Sequence, residues 1–210
     1  MMFDYKKEYK EFYLPPLKPQ IVAVPSMNYI AVDGKGDPND PSGEYQRALE
    51  ALYAISYTIK MSPRSSHSMK GYFEYVVPPL EGFWKQEGLD GMDYSRKSSF
   101  LWTSVIRLPD FVTRDEFCWA RDEAERKKKA SFQAAYFMQY EEGLCVQAMH
   151  LGSFDDEPAT IALMDSYAAS QGYESDMQAR RHHEIYLSDF RRCRPEALKT
   201  VIRHPIRRSL

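Results

Sequence analysis

The first half of the chain combines stretches typical of strands with one stretch typical of an amphipathic helix. From Glu44 to Lys60, apolar residues recur every three or four positions, which places them on one helix face; they are Tyr45, Ala48, Leu49, Leu52 and Ile55. Runs rich in β-branched and aromatic residues predict strands over 21–32, 71–77 and 100–108. Pro25 interrupts the first run, so we expect an edge position or a bulge there.

The middle of the chain carries the start signal of a charged helix. Thr113 and Glu116 have the spacing of a capping box, and we predict a helix from there through Lys129. Its first turn is acidic and its end is basic, which suits the helix dipole, so the run 127–129 indicates a solvated helix rather than a nucleic-acid contact. For the segment 132–140 the sequence allows two predictions, a continuation of this helix or the beginning of a new element.

The second half of the chain repeats the order of elements in the first. We predict a strand over 145–151, a helix over 159–171 and strands over 182–187 and 197–204, the last stopped by Pro205. Residues 201–205 match residues 105–109 at four of five positions. This duplication predicts an α+β fold: two strand–helix–strand–strand units with antiparallel sheets around a central ligand cleft.

The expected domain organisation follows from the repeat. The length of 210 residues fits a single domain. Its two repeats would span about 19–109 and 144–206, joined by a helical connector over 110–143. The polar residues 1–20 predict an extended lead-in.

Composition narrows the classes of function. A net charge of −2 excludes the strongly basic surface of a nucleic-acid-binding protein. The sequence contains no run of eighteen apolar residues, the length that would indicate a membrane span. Three scattered cysteines and a charged start without a signal-peptide core predict a cytoplasmic protein with reduced thiols. Aromatic residues reach 14 %, which fits either an aromatic-walled cavity or a tyrosine-rich sheet.

The strand predicted over 182–187 carries the candidate chemistry. Side chains alternate along a strand, so His182, Glu184 and Tyr186 share one face. A carboxylate can take a proton from water there, and a phenol can donate to an oxygen that gains charge. The alternative is the ordinary polar face of a half-exposed sheet. His182 and His183 point opposite ways and cannot reach one ion, so we expect no metal. No glycine-rich nucleotide-binding motif occurs in the sequence, and we expect no cofactor.

Tryptophans supply the candidate cavity walls. Trp102 lies on the strand predicted over 100–108, and Trp84 falls in a predicted loop after two prolines. Trp84 either lines a pocket or covers an edge of the core.

Four segments together resemble one family. They are 183–203, beginning with His183-Glu184-Ile185-Tyr186, then 79–84, 127–129 and 150–160. In these segments the chain resembles the GyrI-like small-molecule-binding proteins. The resemblance implies a duplicated fold with a central cleft, in which Glu184 meets cationic aromatic ligands. Standalone members include hydrolases of cyclopropane-bearing, DNA-alkylating natural products, and their clefts combine aromatic residues with a Glu and a Tyr.

This resemblance leads to a specific expectation. Glu184 and Tyr186 would be catalytic, in a hydrolase that opens the strained cyclopropane of planar aromatic compounds. The expected ligand-binding residues are Trp102, Trp84, Phe83, Tyr136, Met138 and His182. The partner would be a planar aromatic or cationic small molecule, bound by a monomer or homodimer. The alternatives are sequestration of cationic aromatic drugs without chemistry, or a gyrase-inhibitor-like interaction.

Overall fold

A computed structural model describes residues 2–89, 92–178 and 180–209. The strands are β1 (Gln20–Lys35), β2 (Leu80–Gln86), β3 (Phe100–Arg107), β4 (Tyr136–Leu151), β5 (Tyr173–Ser175), β6 (His182–Tyr186) and β7 (Lys199–Arg208). The α-helices are α1 (Tyr5–Glu8), α2 (Lys10–Tyr13), α3 (Glu44–Lys60), α4 (Arg114–Lys128) and α5 (Glu157–Ser170). Short 3₁₀ helices span Ser62–Arg64, Tyr94–Ser99, Phe154–Asp156 and Pro195–Ala197. Within the described residues, no helix has the length and apolarity needed to cross a bilayer.

The strands form one antiparallel sheet that closes on itself. Their order is β4-β1-β3-β2-β6-β7-β5, and an additional pairing of β4 with β7 completes the circle. β5 lies outside this closed part and pairs with the end of β7. Closure leaves the central strands without a free edge, so each of them is paired on both sides.

The predicted fold class is confirmed. The order β1, α3, β2, β3 in the first half recurs as β4, α5, β6, β7 in the second. The opening strands β1 and β4 have the same length of 16 residues. The segment left open over 132–140 contains the start of β4, so the proposed connector over 110–143 contains α4 and the first residues of that strand.

The two faces of the closed sheet have different surroundings. Phe83 on β2 lies 5.3 Å from Tyr140 on β4, measured between ring centroids, although these strands are not neighbours. Side chains of separated strands meet in this way only across the interior of the closed sheet. The outer face carries α3, which packs on β1 and β3, and α5, which packs on β4.

The prediction of a strand over 71–77 is wrong. In that segment Tyr75 makes only a single bridge, to Phe3, and the sheet instead uses β2, which follows the prolines. Phe83 and Trp84 therefore lie on a strand and not in a loop. The aromatic side chains of 71–77 instead pack against the N-terminal segment. The ring centroid of Tyr75, for example, lies 6.5 Å from that of Tyr5.

Pro205 does not end its strand as predicted, whereas Pro25 has the edge position that was expected, because β1 pairs with β3 only from Tyr29 onward. β1 continues through Pro25, because Val24 and Ser26 keep the same register with β4 on either side of it. β7 continues past Pro205 to Arg208, and Pro205 itself lies opposite Cys145. In each case the long neighbouring strand keeps the pairing in register across a residue that lacks one hydrogen-bond donor.

The N-terminal residues are not an extended lead-in. They form α1 and α2, and they bury Tyr5, Phe12 and Tyr13 in the main hydrophobic core. The Asp4 carboxylate caps α1 by accepting a hydrogen bond from the Lys6 amide. Tyrosines and phenylalanines interleaved with charged residues thus cover one side of the core.

Candidate functional site

A narrow cleft lies on the outer face of the sheet, above the paired strands β2 and β6. Trp84 on β2 is opposite His182, and Gly82 is opposite Glu184. Tyr45 at the start of α3 closes the cleft from above, with its ring 5.7 Å from that of Trp84. The lining residues are Pro38, Asn39, Tyr45, Trp84, Lys97, Phe100, Phe154, Glu184, Tyr186 and Phe190.

A glycine on β2 makes room for the central contact of the cleft. The Trp84 indole nitrogen donates a hydrogen bond of 2.9 Å to the Tyr186 hydroxyl. A Cβ atom added at Gly82 would lie 2.6 Å from that nitrogen and 2.9 Å from that hydroxyl. Only glycine therefore permits the two side chains to meet across the strand pair.

Glu184 is the acidic group of the cleft, and only 6 % of its surface is exposed. Its Oε1 lies 2.9 Å from His182 Nε2. Burial raises the pKa of Tyr186 well above its usual value, and the Glu184 charge and a hydrogen bond to Glu184 raise it further. Tyr186 therefore stays protonated and donates to the Glu184 carboxylate while it accepts from Trp84.

Two buried histidines support the carboxylate from below. His182 Nδ1 lies 2.7 Å from His204 Nε2. Burial, and then the neighbouring His182, hold the pKa of His204 well below its usual value, so His204 is neutral. One N–H hydrogen is shared in the contact between His182 Nδ1 and His204 Nε2, and the opposite ring nitrogen of His182 donates to Glu184 Oε1.

Glu157 is a second buried carboxylate that the sequence analysis missed. It begins α5 and is fully buried, and its Oε2 lies 3.8 Å from His182 Nε2. Within the described residues, ligand-type atoms of Glu157, His182 and Glu184 lie within 4.8 Å of one another, so these side chains could hold a cation. In the sequence, Glu157 has only the ordinary pattern of an acidic first helical turn before Pro158.

The structure brings together four of the predicted site residues. Trp84, Glu184 and Tyr186 line the cleft, and His182 lies beneath it. All five residues of β6 are buried, so this strand does not present the polar face of a half-exposed sheet. The reason is that side chains such as Glu157 and Phe154 cover one face of β6 while the other faces the closed interior.

The other predicted ligand-binding residues lie elsewhere. Trp102 is buried beneath Tyr45, with their rings 5.1 Å apart, and does not line the cleft. Phe83 faces the interior and stacks on His183 at 4.1 Å. Tyr136 donates a hydrogen bond of 3.0 Å to the Asp33 carboxylate on the same interior face. Met138 pairs with Tyr29 in register and shares that face.

Several aromatic walls of the cleft were not predicted. Tyr45 fits the helical apolar pattern and was expected only to pack α3. Phe154 begins the 3₁₀ helix Phe154–Asp156 and Phe190 lies in the segment after β6, with their rings 5.8 and 5.9 Å from that of Tyr186. In the sequence, Phe154 and Phe190 lie outside the predicted strands and helices, which could have marked them as pocket residues. This signal is weak because so many aromatic residues occur in the chain.

Comparison with known proteins identifies the family. The family model of the GyrI-like small molecule binding domain matches residues 17–207. The chain belongs to the GyrI-like family. The cleft beside Glu184 is concave and lined by aromatic rings, as small-molecule sites commonly are. No curated protein matches the chain.

Solved structures extend the comparison. A protein from Listeria innocua described as a hydrolase shares 44 % identity, with a TM-score of 0.89 over 98 % of this chain and 100 % of its own. A second structure of a Listeria innocua hydrolase shares 45 % identity, with a TM-score of 0.92 over 99 % and 100 %. The EcmrR C-terminal domain shares the fold with a TM-score of 0.55, at 8 % identity over 91 % of this chain and 98 % of its own.

Proposed function

We propose that this GyrI-like protein is a hydrolase that opens the strained cyclopropane of planar aromatic electrophiles and so detoxifies them. The observation that carries the proposal is the buried Glu184 carboxylate, which opens with Tyr186 and Trp84 onto an aromatic-lined cleft. Two Listeria innocua structures that this chain matches over their whole length are described as hydrolases, which supports the choice of reaction class.

Glu184 would act as the general base on a water molecule. His182 donates to Oε1 of the carboxylate, and the carboxylate oxygens keep lone pairs beyond those used by His182 and Tyr186 to accept the water proton. The water oxygen then forms a bond to the cyclopropane carbon. The ring C–C bond breaks, and its electron pair passes into the conjugated dienone, which becomes a phenolate. Strain relief and aromatisation drive this step, and general-base catalysis typically adds about 10²–10⁴-fold in rate.

Tyr186 would stabilise the phenolate oxygen. In the resting cleft its proton is directed at the Glu184 carboxylate. Once Glu184 has taken the water proton, its neutral carboxyl group is a weaker acceptor for the Tyr186 O–H. The Tyr186 O–H can then donate to the phenolate oxygen. Protonation of the phenolate then yields a phenol, so the net reaction adds one water. Trp84 keeps the Tyr186 oxygen in place throughout.

A second candidate function is binding without chemistry. A buried carboxylate among the rings of Tyr45, Trp84 and Phe154 also suits a cationic aromatic compound, which would gain both charge and cation–π contacts. In that case the protein would sequester the compound, and Glu184 would make a ground-state contact.

Mass spectrometry separates the two functions. We expect a cyclopropane-bearing dienone incubated with the protein to give a product heavier by one water, with many turnovers per protein molecule. Glu184→Gln keeps the shape of the side chain but removes the base, and it should lower turnover by at least about tenfold to a hundredfold.

The matched control is Glu196→Gln, which removes an exposed carboxylate that does not line the cleft, in the 3₁₀ helix Pro195–Ala197. It should leave turnover unchanged. Unaltered turnover in a folded Glu184→Gln variant contradicts the proposed base. Tight binding of the compound without any hydrated product favours sequestration.

A further inference from the structure

The cleft beside Glu184 is too small to hold a whole ligand. Its free volume is about 80 Å³, whereas pockets for drug-sized molecules usually have roughly 300–1,000 Å³. A planar aromatic compound with its reactive group at Glu184 must therefore extend out of the cleft, and the surrounding walls decide in which direction.

Tyr186 and Phe190 separate the cleft from a second cavity. The two rings lie 5.9 Å apart and line both spaces. The second cavity has a free volume of about 190 Å³ and continues along the strand pair toward Leu80 and Ser188. Tyr186 is buried and held by Trp84, whereas Phe190 is half-buried in the segment that follows β6. Phe190 is therefore the part of this partition that can move.

The second cavity runs into a longer groove beside α3. Leu49, Tyr53 and Tyr57 line both, and the groove has a free volume of about 830 Å³. Tyr57 is 51 % exposed, so much of its ring is available for contact. Lys127 and Lys128 on α4 form the opposite wall. The groove thus combines aromatic rings with a charged rim.

One helix connects the two spaces and sets their separation. α3 carries Tyr45 at the cleft and Tyr57 in the groove, roughly 18 Å apart along its axis at about 1.5 Å per residue. That distance corresponds to a ligand with more than one flat ring unit.

We propose that the groove beside α3 is a second binding subsite, which holds the flat distal unit of an elongated aromatic ligand. The reactive head lies at Glu184, and the distal unit stacks on Tyr53 and Tyr57 after Phe190 has turned aside. Polar substituents of that unit meet the lysines of α4. The assignment of the head to Glu184 rests on the proposed function; the groove and its aromatic lining do not.

Two fluorescent dyes test the subsite by binding alone. An elongated bis-benzimidazole dye is long enough to occupy both the cleft and the groove. The matching single-benzimidazole dye, bound at the cleft, is too short to reach Tyr57. We expect the long dye to bind the wild-type protein about tenfold more tightly. Tyr57→Ala should weaken the long dye about three- to tenfold, the scale of one lost aromatic contact, and leave the short dye unchanged.

Two further variants sharpen the test. Leu163→Ala removes an exposed side chain on α5, away from the groove, and should affect neither dye. Phe190→Ala removes the movable part of the partition and should speed association of the long dye.

The proposal is overturned by equal affinities of the two dyes for the wild-type protein, by failure of both dyes to bind, or by equal losses in Tyr57→Ala and Leu163→Ala. Neither dye can be hydrolysed at a cyclopropane, so these outcomes are independent of turnover. Absence of turnover with a strong preference for the long dye contradicts only the hydrolase proposal.

Discussion

The Tyr186 hydroxyl has two partners whose demands differ during the proposed reaction. Trp84 needs it as an acceptor at all times, and Glu184 needs it as a donor only while the carboxylate is charged. A contribution that changes with the charge on Glu184 belongs to the transition state rather than to the bound substrate.

Tyr186→Phe should therefore lower kcat by about tenfold to a hundredfold and leave KM nearly unchanged. The variant also leaves the buried Trp84 N–H without its acceptor, so a stability loss of about 1–3 kcal/mol is expected. Steady-state kinetics on one substrate and urea unfolding give the measurements. A raised KM with intact kcat would instead make Tyr186 a binding residue.

Trp102 supports the cleft from inside the core. It is only 2 % exposed, and the edge of its ring meets Gly34, where an added Cβ would lie 2.2 Å from the indole. Trp102→Ala should destabilise the fold by about 3–5 kcal/mol, because it leaves a large cavity beneath Tyr45.

Urea unfolding checks this expectation, with Leu163→Ala as the exposed control. If Trp102→Ala unfolds like the wild-type protein but loses ligand affinity, Trp102 contacts the ligand directly.

At the scale of elements, the pairing of β2 with β6 builds the site. β2 comes from the first half of the chain and supplies Trp84; β6 comes from the second half and supplies Glu184 and Tyr186. Each strand contributes groups that the other lacks, so neither half contains a complete cleft.

Gly82→Ala tests this strand pair. The added methyl group would lie 2.6 Å from the Trp84 nitrogen, so the indole or the Tyr186 phenol must shift. We expect loss of at least about tenfold in activity, because small displacements in a catalytic constellation are costly.

The control is Ala162→Gly, which alters a small residue on the exposed face of α5, away from the site. Gly172→Ala is unsuitable as a control because the backbone of Gly172 has a φ of 80°, which strains any other residue. Full activity in Gly82→Ala would show that the Trp84–Tyr186 contact is dispensable.

At the scale of the whole molecule, an ionic cluster lies inside the closed sheet. His183 reaches Glu142 through Nδ1 and Glu81 through Nε2, at 3.0 Å each. The Arg203 guanidinium lies 2.7 Å from Glu142 and donates to the Phe12 carbonyl oxygen. The cluster thus joins β2, β4, β6 and β7 to α2.

This cluster predicts a stability maximum in mildly acidic solution. Burial alone raises the pKa of Glu142, but His183 and Arg203 outweigh it and hold the pKa at about 2. Stability from Glu142 is therefore present above about pH 4.3 and is lost as pH falls toward 2. Burial lowers the pKa of His183, but Glu142 and Glu81 outweigh that and raise it. Stability from His183 is present below about pH 6.5 and is lost as pH rises through the raised pKa.

Urea unfolding across the pH range measures this dependence. His183→Gln should remove the decline at high pH, whereas His67→Gln, which replaces a half-buried histidine outside the cluster, should keep it. A free energy of unfolding that stays constant above pH 6.5 in the wild-type protein contradicts the proposed role of His183.

Local sequence patterns determined the main helices and the arrangement within β6. Helical spacing predicts α3, and a capping box predicts α4, because these elements form hydrogen bonds within one stretch of chain. Alternation along β6 likewise places Glu184 and Tyr186 on one face.

Only the tertiary structure decided which stretches pair as strands and what surrounds β6. Residues 71–77 have a strand-like composition, yet β2 occupies the position beside β6 because its register buries Phe83 inside and Trp84 outside. Closure of the sheet through β4 and β7 buries both faces of β6, and packing of α5 brings Glu157 to His182. These contacts join residues far apart in the chain, and the pattern around any one residue carries no record of which distant residue it meets.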